Sequence, residues 1–261
     1  QKTAYEILTC DWSSDVCSSD LAMLLEATRI EAGYGHAQVL FGVSFSIDAG
    51  EVVTKALLTA GNPEGDVLFG IDNNLLARAL EGDVFQAYVP DIGSLDMQYA
   101  ALDPEFNVTP IDHGDVCLNY DKAWFEERGI APPDSLDDLA RPEYEGLLVV
   151  ENPATSTPGL AFLLATIAEL GEDGWQDYWR KLRENGVLVV DGWEEAYTTR
   201  FSGASVSRGD RPVVVSYASS PPAEVIFRTP RPEEAPTGVV EASCYRQIEY
   251  AGVLRGARNE D

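Results

Sequence analysis

Trp193 and Tyr197 stand four apart in "DGWEEAYTTRF", and Tyr217 lies in "SYASSPPAEV". Residues four apart share one face of a helix, and Tyr217 ends a segment that reads as a strand running alongside. Aromatic rings gathered at loop edges enclose a flat ligand, and a cationic one gains about 0.5–2 kcal/mol per well-placed ring. In "GIDNN", Asp72 offers the countercharge; it suits the N-cap of the following helix equally well, and Asn73 is the alternative cap. In "NPATSTPGL", Thr157 is placed to cap a helix, Pro158 suits its first position and Gly159 permits close backbone approach. Unpaired N–H groups at that helix start, with the hydroxyls of Ser156 and Thr157, make a place for an anion or a hydroxyl group.

Catalysis has less to draw on. The chain holds 2 histidines, His36 and His113. His113 lies in "DHGD" with Asp112 and Asp115, where an acid–base or metal role competes with a solvated hinge. The hinge is favoured, because three neighbouring polar residues without distant partners do not make a site. No catalytic residue, metal or cofactor is therefore expected, and the chain reads as a binding protein rather than an enzyme. Of 4 cysteines, Cys17 and Cys10 fall in or beside an anomalous stretch described below. Cys117 and Cys244 read either as buried small apolar residues or as a disulfide, which would imply an oxidising compartment.

From about Thr54 the chain alternates strand and helix patterns, which predicts an α/β domain with a largely parallel sheet. "DVLFGI", "GLLVVEN", "VLVVDG" and "RPVVVSYA" read as strands. "NNLLARALEG" reads as a helix ending at Gly82, and Trp175, Tyr178, Trp179 and Leu182 recur at helical spacing as core. The chemistry-bearing loops follow carboxyl ends of strands, where ligands bind in open α/β sheets. Eighteen basic against 44 acidic residues give a net charge of −26. That field disfavours nucleic acid and attracts cations. No apolar run is long enough to span a bilayer.

The first residues follow another logic. "DWSSDVCSSDL", Asp11 to Leu21, matches the in-frame translation of a short-read sequencing adapter, so 1–21 is set apart as an artefactual or disordered segment. "LLEATRIEAGYGHAQVLFGVSFSIDAGEVV", Leu24 to Val53, alternates as two or three short strands and resembles the opening of an ABC transporter ATPase subunit. In that family an aromatic at the position of Tyr34 stacks on adenine and the strand ending "GEVV" leads into the phosphate loop. Here "TKALLTAGNPEGD" follows, without G-x-x-x-x-G-K-[ST], so 22–53 is expected to be an ATPase-like β fragment unable to hydrolyse ATP.

From about Gly61 to Leu254 the chain resembles the thiamine-binding periplasmic protein family, substrate-binding components of ABC importers. The resemblance rests on "DVLFGIDNNLL", "DHGDVCLNYDK", "NPATSTPGLAFLL", "GWEEAYTTRF" and "VVSYASSPPAEVIF", in that order. It implies a type II-like periplasmic binding protein fold, two lobes hinged by crossover strands. It also implies thiamine or a thiamine phosphate as ligand, an ABC permease as partner, and a periplasmic or extracytoplasmic location. Ser156, Thr157 and Gly159 fall near the hydroxyethyl or phosphate end, Trp193 and Tyr217 among pocket aromatics, and Asp72 and Asn73 opposite them. The same resemblance puts Cys117 and Cys244 on the crossover strands, close enough for a disulfide. It also implies a partial first lobe at 54–111, a nearly complete second lobe at 112–243 and a returning crossover at 244–261. The whole is then expected to be a chimera with weakened ligand binding. Binding proteins for ferric iron or polyamines share the fold and remain the alternative, as does an inactive ATPase fragment.

Overall fold

The computed structural model describes residues 25–34, 37–47, 49–89, 99, 102–207 and 209–258, with side-chain surroundings from Val53 onward. The adapter-like stretch lies outside the described residues. Strands β1 (Leu25–Tyr34) and β2 (Ala37–Ile47) pair antiparallel in a sheet of their own. The "GEVV" segment is not a strand: helix α1 (Ala49–Leu58) carries it and runs unbroken past residues 53 and 54. Val53 and Ala56, three apart, give that helix its buried face.

The second sheet is mixed. In chain order come β3 (Val67–Asp72), β4 (Phe85–Gln86), β5 (Thr109–Asp121), β6 (Leu148–Glu151), β7 (Leu188–Val190), β8 (Val213–Tyr217) and β9 (Thr237–Leu254). In space the order is β3-β9-β5-β8-β6-β7, with β4 beside β9. Only β8-β6 and β6-β7 are parallel; the pairings through β5 and β9 are antiparallel. This corrects the expectation of a largely parallel sheet. The reason is the length of β5 and β9, 13 and 18 residues, which pair antiparallel with each other and carry antiparallel neighbours on their outer edges.

Those two strands join two cores. Val53, Leu68, Ile71, Leu76 and Phe85 pack with Ile248 and Tyr250 of β9. Further along, Val116 and Leu118 of β5 and Val240 of β9 belong to a larger cluster with Phe125, Leu148, Val150, Phe162, Tyr178, Leu182, Val213 and Val215. Alternation along the parallel strands sends Val149 and Val214 to the opposite face, against Val190, Ala196, Tyr197 and Phe201. Strands buried on both faces read as continuous apolar runs, which is why "LLVV" and "VVV" were legible.

Between the cores the β5-β9 ladder breaks. Val116 pairs with Tyr245 but Leu118 with Val240, so β9 carries an outward loop opposite Cys117. Ser243 fills the gap, its Oγ accepting from Leu118 N at 2.8 Å and donating to Val240 O at 2.6 Å. Cys117 and Cys244 are bonded to each other across it, their Cα atoms 4.2 Å apart.

Local sequence explains the helices that follow. Helix α2 (Asn73–Glu81) begins where Asp72 accepts from the N–H groups of Asn74 and Leu75, and its C-cap is Gly82. Helix α3 (Lys122–Arg128) is capped by Asp121 and ends at Gly129 in the left-handed region, φ 63°. Helix α4 (Thr157–Glu184) is interrupted at Gly171, φ 72°. Its N-cap is Ser156, whose side chain makes no capping bond, and Thr157 is already helical; the expected Thr157 cap is thereby corrected. Pro158 then enforces the first turn's geometry without needing a donor. Helix α5 (Ser220–Phe227) follows β8 with two prolines in its first turn.

Candidate ligand-binding cleft

A short π-helical turn, Glu195–Arg200, carries Tyr197. It sets the Trp193 ring on the Tyr197 ring, centroids 5.0 Å apart at 14°, and places Trp193 6.4 Å from Tyr217 at 55°. Trp193 is held by its indole N–H, which donates to Ser216 Oγ at 2.8 Å, and that hydroxyl lies 2.8 Å from Ser220 Oγ. Tyr197 is buried and donates to Glu224 Oε1 at 3.1 Å. Burial, then the Glu224 charge, pushes its hydroxyl well above the usual tyrosine range. Tyr197 therefore has its hydroxyl turned to Glu224 and its ring stacked on Trp193.

Tyr217 lines a cleft of about 400 Å³ together with Asp112, His113, Gly114, Gln247 and Glu249. The cleft lies where β5 and β9 pass between the cores, with Asp112 opposite Glu249 and Gly114 opposite Gln247 in the ladder. Gln247 donates to Glu249 Oε1 at 3.1 Å, while its own Oε1 is buried without a partner. Burial raises the Glu249 carboxyl, and the negative charges of Asp112 and Asp72 raise it further. His113 stacks loosely on Tyr99, 5.1 Å between centroids. Asp115 is drawn off into an ion pair with Arg246, N–O 2.5 Å. The "DHGD" cluster is thus divided, and among the described residues no three His, Cys, Asp or Glu side chains converge as a metal set.

Asp72 serves as cap and as charge together. One carboxylate oxygen holds the N–H groups of Asn74 and Leu75 at 3.0 and 3.1 Å; the other is buried without a partner. Burial outweighs those bonds and pushes its pKa up to about 6. Asn73 is spent on structure: its Oδ1 accepts from Ile248 N at 2.9 Å and its Nδ2 donates to Arg246 O at 3.3 Å, fastening α2 to β9.

The start of α4 stands on β6. A Cβ at Gly159 would lie 2.5 Å from Glu151 O, so only glycine allows this approach. Thr155 Oγ1 donates to Asp191 O at 2.7 Å, tying the loop to the one that carries Trp193. Ser156 and Thr157 are half-buried there.

Electrostatically the elements converge on Tyr217. Burial first, then Glu249, Glu151 and Asp72, push its hydroxyl above the tyrosine range. Among the described residues none of these three carboxylates, nor Asp112, has a Lys or Arg within ion-pair distance. Sequence reading overlooked Glu151, Gln247 and Glu249. Glu151 had left a signal, a carboxylate closing an otherwise apolar strand; the other two had only their alternation in "RQIEYAGVL".

Residues 62–220 match the family model described as bacterial extracellular solute-binding protein. The thiamine-binding periplasmic protein of Escherichia coli is 30% identical over 67% of this chain and 49% of its own length. That of Brucella abortus is 27% identical over 82% and 60%. A solved periplasmic thiamin-binding protein superposes with a TM-score of 0.61 at 26% identity, over 81% of this chain and 62% of its own. The periplasmic binding protein P5PA, at 19% identity and TM-score 0.65, shares the fold. The chain spans about half the length of the curated relatives it matches. With its two cores joined by β5 and β9 and a cleft between them, the chain belongs to the bacterial extracellular solute-binding protein family.

Proposed function

We propose that this chain is the solute-binding component of an ABC importer and that its ligand is thiamine or a thiamine phosphate. On this reading it works outside the cytoplasmic membrane, hands its ligand to a permease and performs no chemical step. One observation carries the reading: Tyr217, with Trp193 6.4 Å away, stands within electrostatic reach of Glu249, Glu151 and Asp72, carboxyl groups that have no cationic partner among the described residues. A flat cation answers both features, gaining from the ring faces and from the negative potential. The names of the relatives supply the particular cation. The start of α4, with Ser156, Thr157 and Gly159, is the place for the ligand's hydroxyl or phosphate. Asn73, engaged at both amide atoms, has no part in it.

Calorimetry of the chain with thiamine, thiamine monophosphate, spermidine and ferric citrate tests the proposal. Saturable heat with thiamine or its phosphate, abolished by Trp193→Ala, is expected. Affinity should be weak, with a Kd between about 1 μM and 1 mM, because Trp193 and Tyr217 cover a ligand incompletely in this open cleft. Preference for spermidine or ferric citrate would overturn it.

A further inference from the structure

Glu151 closes β6 with 0% of its surface exposed, and neither carboxylate oxygen has a hydrogen-bond partner. A buried carboxyl left so bare costs stability and needs a physical reason. Its place in the fold suggests one. Its main chain is the surface on which Gly159 of α4 rests. Its charge is felt at Tyr217 together with those of Glu249 and Asp72. Tyr217 lines the cleft and Gly159 heads the helix proposed to meet the ligand, so Glu151 stands buried behind both.

We infer that Glu151 is a cation-selecting residue, a buried countercharge that acts on a bound cation through space rather than by contact. The low polarisability around it makes a unit charge several ångströms away count for more than it would in water. Neither capping nor ion pairing accounts for the carboxyl, which caps no helix and pairs with no base among the described residues. Packing needs only its volume, which an amide or a thioether supplies equally. Burial holds the proton on this carboxyl, with a pKa up to about 8, and a cation in the cleft supplies the interaction that favours the ionised form. The titratable group that feels its charge is Tyr217 on β8, on which Glu249 and Asp72 also act; none of these is a base, so none satisfies Glu151 in a ligand's stead.

Only the choice of thiamine as first probe rests on the function proposed above. Thiamine, a neutral thiamine analogue with an uncharged ring in place of the thiazolium, spermidine and choline are titrated into the full chain. The same titrations are made with Glu151→Gln and Glu151→Met, both checked by thermal melting. At least a tenfold loss of thiamine affinity in both variants, with under twofold change for the neutral analogue, is expected. Thiamine binding unchanged in the variants overturns the inference and leaves the function standing. Binding of spermidine or choline instead of thiamine, with the same dependence on Glu151, overturns thiamine as ligand and keeps the inference. Equal losses for charged and neutral ligands reduce Glu151 to packing, and no binding of any cation overturns both proposals.

Discussion

Cys117 of β5 and Cys244 of β9 are joined across the register shift that interrupts the pairing of these two strands. Their bond closes a segment of 127 residues that includes β6, β8, α4 and the π-helical turn. In the chain-entropy account such a bridge stabilises by roughly 4–5 kcal/mol. The double variant Cys117→Ser, Cys244→Ser should lose a large part of that in urea denaturation, and reduced wild type should behave like it. Identical midpoints for oxidised and reduced protein would contradict this.

Gly159→Ala should disturb ligand and fold together. The added methyl meets backbone oxygen and carbon of Glu151 at 2.5 and 2.8 Å, so the start of α4 must lift from β6. A cost of about 1–3 kcal/mol is expected, along with weaker thiamine binding. Gly192→Ala, where a Cβ meets nothing within 4 Å, is the control.

Ser216→Ala should weaken ligand binding without removing any ring. It leaves the Trp193 indole N–H without its acceptor and the ring free to turn off Tyr197. Stability should fall by about 1 kcal/mol. Trp193→Phe, which keeps an aromatic face but lacks the donor, should resemble it in calorimetry. Trp193→Ala should do more harm and should penalise thiamine more than its neutral analogue, since only the cation gains from the ring's quadrupole.

Two buried carboxyls tie stability to pH. Glu151 is raised from 4.5 to about 8 and Asp72 from 3.8 to about 6, both chiefly by burial. A raised acid means that the folded chain keeps a proton the unfolded chain has lost. Stability is then full below the unfolded value and falls as pH climbs toward the folded one. For Glu151 the fall runs from about pH 4.5 to about 8 and amounts to at most roughly 5 kcal/mol at 1.36 kcal/mol per unit. Asp72 contributes only below about pH 6. Glu151→Gln should therefore flatten the profile between pH 6 and 8 and stabilise the chain at pH 8.5. A wild-type stability that rises over that interval would refute the assignment.

Local chemistry was legible in the sequence itself. The apolar runs of β6 and β8 announced strands, Gly82 announced the end of α2, and the S-T-P-G order announced a helix start with a close backbone approach. Each of these depends on neighbours within a few residues, so propensity and spacing suffice to express it. Tertiary structure decided the rest. Whether Asp72 caps α2 was open in the sequence; the structure shows the cap, and leaves the other carboxylate oxygen buried without a partner. Asn73 reads in the sequence as a ligand contact, but β9, more than 170 residues away, supplies its partners. Tyr197 shares its local pattern with Trp193, but Glu224 on α5 takes its hydroxyl while Trp193 donates to Ser216 on β8. Glu151 looks like the polar end of a strand, and only the assembled fold, with α4 resting on β6, makes it a buried carboxyl without a partner. Burial and long-range pairing set these roles, and both are properties of the assembled chain, since desolvation at one residue is produced by atoms that the sequence places far from it.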